Sequence, residues 1–498
     1  MITNAKQRKY LVLECIVLAL GVFFIFKVQF ANAALYGSDG YLHIRMAEFI
    51  KQYGIHYTFH WTRFSVFFDR FSDKDFLFHV FLIPFTFFRD IFFGAKLAAA
   101  AFYTSLFAVM YVFLRKWTRR EYVFLFLILF FAPCRFIIAL ERPRPFALVM
   151  IITILTVHFL IKKKALPLFI LAVIYSMAHV SAPYMLAYAF IAEGVRAVSF
   201  RQVSFRNLLA VAAGIVVGHL INPYFPNNIL YFYLNAILVP FYAAKTGVLE
   251  LPAEFFPLLS NVFLQSYPLI TLGMLGALFL LLVRNDVKTS FHTRVLFAVT
   301  AFYYILSFTS QRGLTHAWPI FLLFLASFAK DFFTGAWRKI APVFFTACFA
   351  SVLVFSFGQY RDFPQTIRGA EIMNRHFEDM ADEIKKHVPE GELVFHANWS
   401  DGQYFIGLNP RNDYFVTLDP VYMYYRDKNR YALYRNVAFG RSTDPYRAMN
   451  DVFGSRYGYA GKSYFSGLIS QVRRDPRFEI LVEDRFGVLF KLKKQEGR

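Results

Sequence analysis

The chain has 498 residues, 57% of them apolar and 20% aromatic, with 54 Lys/Arg against 33 Asp/Glu and a formal charge of +21. Repeated apolar runs of about 20 residues exclude an ordinary soluble protein and predict a polytopic α-helical membrane protein. The basic excess, which in a soluble chain would suggest nucleic acid, falls largely in short connections between apolar runs. There it fixes topology and meets anionic membrane lipid, so no nucleic-acid partner is expected. Cys15, Cys134 and Cys348 sit in apolar runs without metal-like spacing and imply no disulfide framework and no zinc site of their own.

Lys6, Arg8 and Lys9 precede the first apolar run, Tyr10 to Phe30, which places the N-terminus in the cytoplasm. Ala31-Asn32-Ala33 resembles a signal cleavage site, but the run is longer than a signal core and reads as an uncleaved first transmembrane helix. Residues 31–92 then form a long first outer loop, in which Phe76 to Phe88 is too short to span and reads as a helix lying on the membrane surface. Further spans are expected at 93–114, 121–138, 145–161, 165–180, 182–197 and 207–221. Gly214 and Gly218 in the last of these have a close-packing spacing that is common by chance. A late outer loop, 222–257, contains the aromatic run Leu230 to Tyr242, read as interfacial or re-entrant. Spans at 258–283, 291–309, 314–329 and 340–357 follow, giving about eleven crossings and an outer C-terminus. The transmembrane domain is thus 1–357.

From Gly358 the pattern becomes that of a soluble α/β domain, 358–498. Thr366 to His387 and Tyr464 to Arg474 read as helices. Leu393 to Phe395 and Tyr414 to Val416 read as strands, and Phe478 to Glu483 with Val488 to Leu492 as a terminal hairpin.

Ionisable groups cluster at the outer ends of the spans, where they are costly unless they bind something. Asp39, His43 and Arg45 lie on the first outer loop, and Asp69, Asp73, Asp75 and His79 further along it. Asp73, Asp75 and His79 have the spacing of a metal set, although a helix start with solvated acids explains them as well. Glu141, Arg142 and Arg144 occupy the next outer turn, Glu250 and Glu254 the late loop, and Arg312 a late short turn. The phosphate-cradling glycine loop, the HExxH motif and the nucleophile elbow are all missing. The set suits transfer of a sugar from a lipid phosphate, which needs a carboxylate to orient or deprotonate the acceptor and cations or a metal for the leaving phosphate. A lipid or sugar transporter or flippase is the rival reading, but transporters concentrate ionisable residues at the midplane. A non-catalytic subunit of an envelope glycan assembly complex is a third.

Asp39-Gly-Tyr-Leu-His43-Ile-Arg45-Met-Ala-Glu48-Phe resembles the first-loop motif of the oligosaccharyltransferase catalytic subunit, a member of the GT-C membrane glycosyltransferases. The long outer loops and outer C-terminal domain are similar as well. The resemblance implies an inverting transferase in the inner (plasma) membrane, with the C-terminal domain periplasmic or extracellular. It would take a polyprenyl phosphate- or diphosphate-linked donor to a lipid, glycan or protein acceptor. By the same resemblance Asp39 is catalytic and a metal ligand, with Glu141 at the place of the second acidic motif and Mg or Mn as the one cofactor. The family has Asp-x-Glu or Asp-x-His where this chain has Glu141-Arg142-Pro143-Arg144, so Arg142 and Arg144, with Arg312, are candidate phosphate ligands. His43 and Arg45 are further candidates for binding substrate. Glu250 resembles the glutamate of the late outer loop. Trp399 and Asp401 fall in a Trp399–Tyr404 stretch similar to the acceptor-side motif of bacterial GT-C proteins.

Overall fold

The computed structural model describes residues 2–244, 249–284 and 286–494; the part of the late outer loop at 245–248 and the Cys348 side chain lie outside the described residues. The helices in chain order are α1 (Ile2–Gln29), α2 (Asp39–Tyr53), α3 (Phe76–Leu82), α4 (Ile91–Trp117), α5 (Arg120–Leu129), α6 (Cys134–Glu141), α7 (Phe146–Ile161), α8 (Ala165–Ala178), α9 (Tyr184–Phe200) and α10 (Phe205–Leu220). They continue with α11 (Asn227–Tyr233), α12 (Val239–Ala244), α13 (Ser260–Ser266), α14 (Pro268–Val283), α15 (Phe291–Leu306), α16 (Arg312–Phe332), α17 (Ala341–Arg361) and α18 (Phe363–His387). Two compact units result. One comprises Met1–Asn32, Lys96–Ile221 and Pro252–Arg368; the other comprises Ala33–Ala95, Asn222–Leu251 and Gly369–Arg498. The outer loops that the sequence groups with the transmembrane domain thus fall in the second unit.

The first unit is helical. Among the described residues, Gln7–Gln29, Ile91–Trp117 and Arg312–Phe332 are long and apolar enough to cross a membrane, and α5 with α6 would be a fourth span if the bent pair is one. Apolar helices of 10–17 residues at α7, α8, α10, α14 and α15 also belong to this unit. Two predicted spans are not continuous. The one at 121–138 bends by 73° between α5 and α6, because Pro133 has no N–H to continue the ladder. The backbone groups exposed at the break find side chains. The Phe130 carbonyl accepts from the Trp318 indole at 3.0 Å, the Phe131 carbonyl from the Tyr360 hydroxyl, and the Cys134 N–H donates to Gln359 Oε1 at 3.1 Å. In an apolar surround such groups must be satisfied internally, so the break is stabilised by its neighbours. The predicted span at 258–283 is likewise divided into α13 and α14, with Pro268 in the first turn of the second helix. The Gly214/Gly218 spacing serves packing. A Cβ on Gly214 would lie 2.5 Å from the Phe169 carbonyl, and one on Gly218 would lie 2.0 Å from Ser176 Oγ, so α10 meets α8 backbone to backbone.

The second unit is built on a five-stranded sheet of β1 (Leu393–His396), β2 (Asp413–Tyr414), β3 (Tyr457–Gly461), β4 (Phe478–Glu483) and β5 (Gly487–Leu492), in the order β2-β1-β3-β5-β4. The first three are parallel, while β5 runs antiparallel to both β3 and β4. β3 is absent from the sequence expectation, because Tyr-Gly-Tyr-Ala-Gly with two glycines has weak strand character. The remaining helices are α19 (Asp401–Leu408), α20 (Val421–Arg426), α21 (Lys428–Ala438), α22 (Pro445–Arg447) and α23 (Ser466–Arg474). The aromatic run of the late loop forms α11 and α12 around a π-helical turn at Leu234–Leu238. It is held in this unit by Tyr231 and Asn235, which hydrogen-bond the Tyr422 hydroxyl.

The first-loop helix α2 packs on α19. Gly407 lies so close that a Cβ would sit 2.7 Å from the Tyr41 carbonyl carbon and from its Cβ. The Tyr41 ring is 5.4 Å from that of Tyr404, which in turn stacks on Phe377 of α18 at 4.0 Å. Gly407→Ala should therefore lower the thermal midpoint of the detergent-purified protein, at a cost of about 1–3 kcal/mol. Gly369→Ala in α18, where a Cβ meets nothing within 4 Å, should be neutral or mildly stabilising. Equal midpoints for the two variants would contradict this packing.

Candidate functional site

Asp39 is the first residue of α2 and is 9% exposed. A carboxylate at this end of a helix is favoured by the unpaired N–H groups of the first turn. Ser38 Oγ approaches Asp39 Oδ1 at 3.4 Å and donates to Gln403 Oε1. The first-loop motif and the Trp399–Tyr404 motif, 365 positions apart at this pair, thus meet in the second unit. Arg45, two turns along α2, donates from Nε to the Gly407 carbonyl at 2.9 Å and pairs with Glu48. Its guanidinium ties α2 to α19.

One turn after Asp39, His43 faces α3. His43 Nδ1 lies 2.7 Å from His79 Nε2, and His79 Nδ1 lies 2.6 Å from Asp73 Oδ2. The Asp73 carboxylate therefore engages the Nδ1 side of the His79 ring and turns Nε2 toward His43. Asp73 Oδ1 also accepts from the Asp75 N–H at 3.0 Å, which folds the turn before α3 so that Asp75 joins the two histidines. All four side chains are buried. Among the described residues, the three-donor group able to hold a metal is His43, Asp75 and His79. Neither Asp39 nor Glu141, the expected ligands, belongs to it. Asp73 supports the group from behind instead of coordinating. The spacing of Asp73, Asp75 and His79 is visible in sequence; the addition of His43 is not.

Trp399, two residues before α19, and Asp401, its first residue, have separate environments. The Trp399 indole donates to the Glu250 carbonyl at 2.9 Å, while the Glu250 carboxylate pairs with Arg435 Nε at 2.6 Å. Two candidate substrate residues are therefore brought together, and both are engaged within the unit. Asp401 is 6% exposed in the first turn of α19. Burial pushes its carboxyl well above the ordinary carboxylate range. Buried His396 on β1 spans the same region, with Nδ1 2.7 Å from the Asn398 carbonyl and Nε2 accepting from the Phe415 N–H at 3.2 Å. Burial pushes it down to about 4.

The first unit holds the remaining candidates. Glu141 ends α6 and is 3% exposed. Arg142 caps that helix. Arg144 and Arg312 converge on Glu254, Arg144 Nη1 at 3.3 Å and Arg312 through Nη2. The Glu254 segment is itself fastened to the start of α16 by Ser310 Oγ to the Glu254 carbonyl at 2.6 Å and by the Gln311 N–H to the Phe256 carbonyl at 3.1 Å. Burial raises the Glu254 carboxyl, but Arg312 and Arg144 outweigh it and hold it below the ordinary range. Glu254, not Glu250, is the acid that pairs with Arg144 and Arg312. The excess of arginine at these outer turns points to a carboxylate partner, but does not select which one.

In fold, the chain is similar to structures of the Archaeoglobus fulgidus oligosaccharyltransferase. The apo form gives a TM-score of 0.61 at 12% identity, over 90% of this chain and 69% of that one. The form tethered by a disulfide bond to an acceptor peptide containing the NVT sequon gives 0.60 at 11% identity, over 95% and 74%. No family model and no curated protein sequence matches. The oligosaccharyltransferase resemblance expected from the first loop thus stands at the level of fold.

Two pH effects follow from the burial of Asp401 in α19 and of His396 on β1. Unfolded Asp401 loses its proton near 3.8 whereas the folded state keeps it, so this residue subtracts stability as pH rises past 3.8. Asp401→Asn should raise the thermal midpoint by a few degrees at pH 7, with the gain fading toward pH 4. His396 acts in the other direction: unfolded it gains a proton below 6.5 while the folded state resists until about 4, so stability falls as pH drops through that window. A midpoint for Asp401→Asn below wild type at pH 7 would contradict the first assignment.

Proposed function

We propose that this protein is a membrane glycosyltransferase that moves a sugar or oligosaccharide from a polyprenyl phosphate or diphosphate donor to an envelope lipid, glycan or protein at the outer membrane face. The observation that carries this reading is the placement of Asp39. It is a shielded carboxylate at the start of α2, next in the chain to Ser38, whose hydroxyl donates to Gln403 in the Trp399–Tyr404 motif, in a chain whose fold is similar to that of an oligosaccharyltransferase.

In the proposed reaction an acceptor hydroxyl or amide attacks the anomeric carbon from the face opposite the phosphate. The bond from carbon to the phosphate oxygen breaks, its electrons leave with the polyprenyl phosphate, and Asp39 takes or orients the acceptor proton. The anomeric configuration inverts in this single displacement. Glu141 is the second carboxylate of the proposal. Arg144 and Arg312 converge on the carboxylate of Glu254, and with Arg142 they are the cationic groups of the proposal that suit a leaving phosphate. His43 and Arg45 have protein partners in α3 and α19, and their part here is to hold α2 in place.

The direct test is transfer by purified protein from lipid-linked sugars, with the acceptor class first identified by mass spectrometry of envelope glycans and glycolipids in cells lacking the gene. Asp39→Asn should reduce transfer roughly 10²–10⁴-fold while leaving the thermal midpoint near wild type. Glu254→Gln should lower the midpoint, since it leaves two arginines without their shared carboxylate. Wild-type transfer by Asp39→Asn would overturn the reading. Donor translocation by reconstituted protein without glycosidic bond formation would replace it with a flippase.

A further inference from the structure

From the second unit we infer a resident metal centre: His43, Asp75 and His79 form a buried site for one divalent first-row transition metal of the zinc or manganese class, which clamps α2 to α3. The donor atoms of these residues lie within 4.8 Å of one another, and all three side chains are buried. Two imidazoles with one carboxylate suit Zn²⁺, Mn²⁺ or Co²⁺, whereas Mg²⁺ prefers an all-oxygen octahedron. His79 has the backing expected of a ligand. Its Nδ1 is 2.6 Å from Asp73 Oδ2, which leaves Nε2 for a metal and fixes the ring plane.

The space also fits an ion and little else. A cavity of about 20 Å³ is lined by His43, Asp73, Asp75 and His79 together with apolar side chains such as Phe59 and Phe71. That is room for roughly one water or ion and far too little for a sugar, so the ion would be resident and not a substrate. Lys74 Nζ lies 3.8 Å from Asp75 Oδ2, beyond hydrogen-bond length. His43 Nδ1 and His79 Nε2, 2.7 Å apart, would need to part to roughly 3.3 Å to share a tetrahedral ion at ordinary metal–nitrogen distances. A small rotation of the His43 ring supplies this. Such an ion would join α2 to α3 one turn along the helix from Asp39.

The test uses untagged full-length protein in detergent, stripped with EDTA, desalted, and exposed separately to Zn²⁺, Mn²⁺ and Mg²⁺. Elemental analysis should find about one equivalent of Zn²⁺ or Mn²⁺ per chain and no retained Mg²⁺, and the bound ion should raise the thermal midpoint of the stripped protein. His43→Asn and His79→Asn should each lose the equivalent, while Asp73→Asn should keep the stoichiometry with affinity weakened about 10–100-fold. Should the histidine variants fail to fold, Co²⁺ added to wild type gives the answer through its visible absorption, intense for a tetrahedral nitrogen and oxygen site and weak for ions in solution. The proposal fails if wild type retains no Zn²⁺ or Mn²⁺ and shows no such Co²⁺ spectrum, or if a folded His43→Asn, His79→Asn double variant binds as wild type does. None of these readouts involves sugar transfer, so they stand or fall apart from the proposed function.

Discussion

The close approach of α2 to α19 at Gly407 is the constraint on which the candidate site in the second unit depends. A side chain at 407 would collide with the backbone of Tyr41, so only glycine lets the two helices meet. Once they do, Ser38 reaches Gln403, Arg45 reaches the Gly407 carbonyl, and the Tyr41 ring packs against Tyr404, which stacks on Phe377. These contacts join the start of the first outer loop to α18 and the sheet domain. They hold Asp39 at a helix start with little freedom, as a positioned acid or base requires. The Tyr41 hydroxyl adds a hydrogen bond to Glu378 at 2.8 Å, which extends the same attachment further along α18.

The first unit solves a different problem, the exposure of backbone and charge in an apolar setting. Where Pro133 interrupts the helix, Trp318, Gln359 and Tyr360 supply the missing donors and acceptor. Where arginines gather at the outer turns, Glu254 is shared between Arg144 and Arg312. Removing one partner from such a group costs more than the pair itself contributes, since it leaves a charge without its counterion. This explains why the arginines read from sequence as phosphate ligands are also structural.

Which features were legible before folding can be argued from individual residues. Asp39, His43 and Arg45 lie within seven residues of one another, so the sequence places them near each other along the chain, but α2, the helix that carries them, is absent from the sequence expectation. The terminal hairpin and the amphipathic α18 were visible from the alternation and the 3.6-residue period of their apolar positions. The break after Phe130 was foreshadowed by Pro133, but a run of apolar residues on both sides masks it. β3 was hidden because its two glycines carry no side-chain pattern; its strand character comes from pairing with β1 and β5.

By itself the sequence determined the apolar runs, the gathering of basic residues between them and the local first-loop motif, because each depends on neighbours within one or two helical turns. Tertiary structure alone decided which charges meet. It set Glu254 rather than Glu250 between the outer arginines, joined Ser38 to Gln403 across 365 positions, and added His43 to Asp75 and His79. The reason is physical. Residue spacing fixes the face of a helix on which a group stands, but which partner it finds depends on packing between segments far apart in the chain, and that packing is set by shapes such as the bare backbone at Gly407.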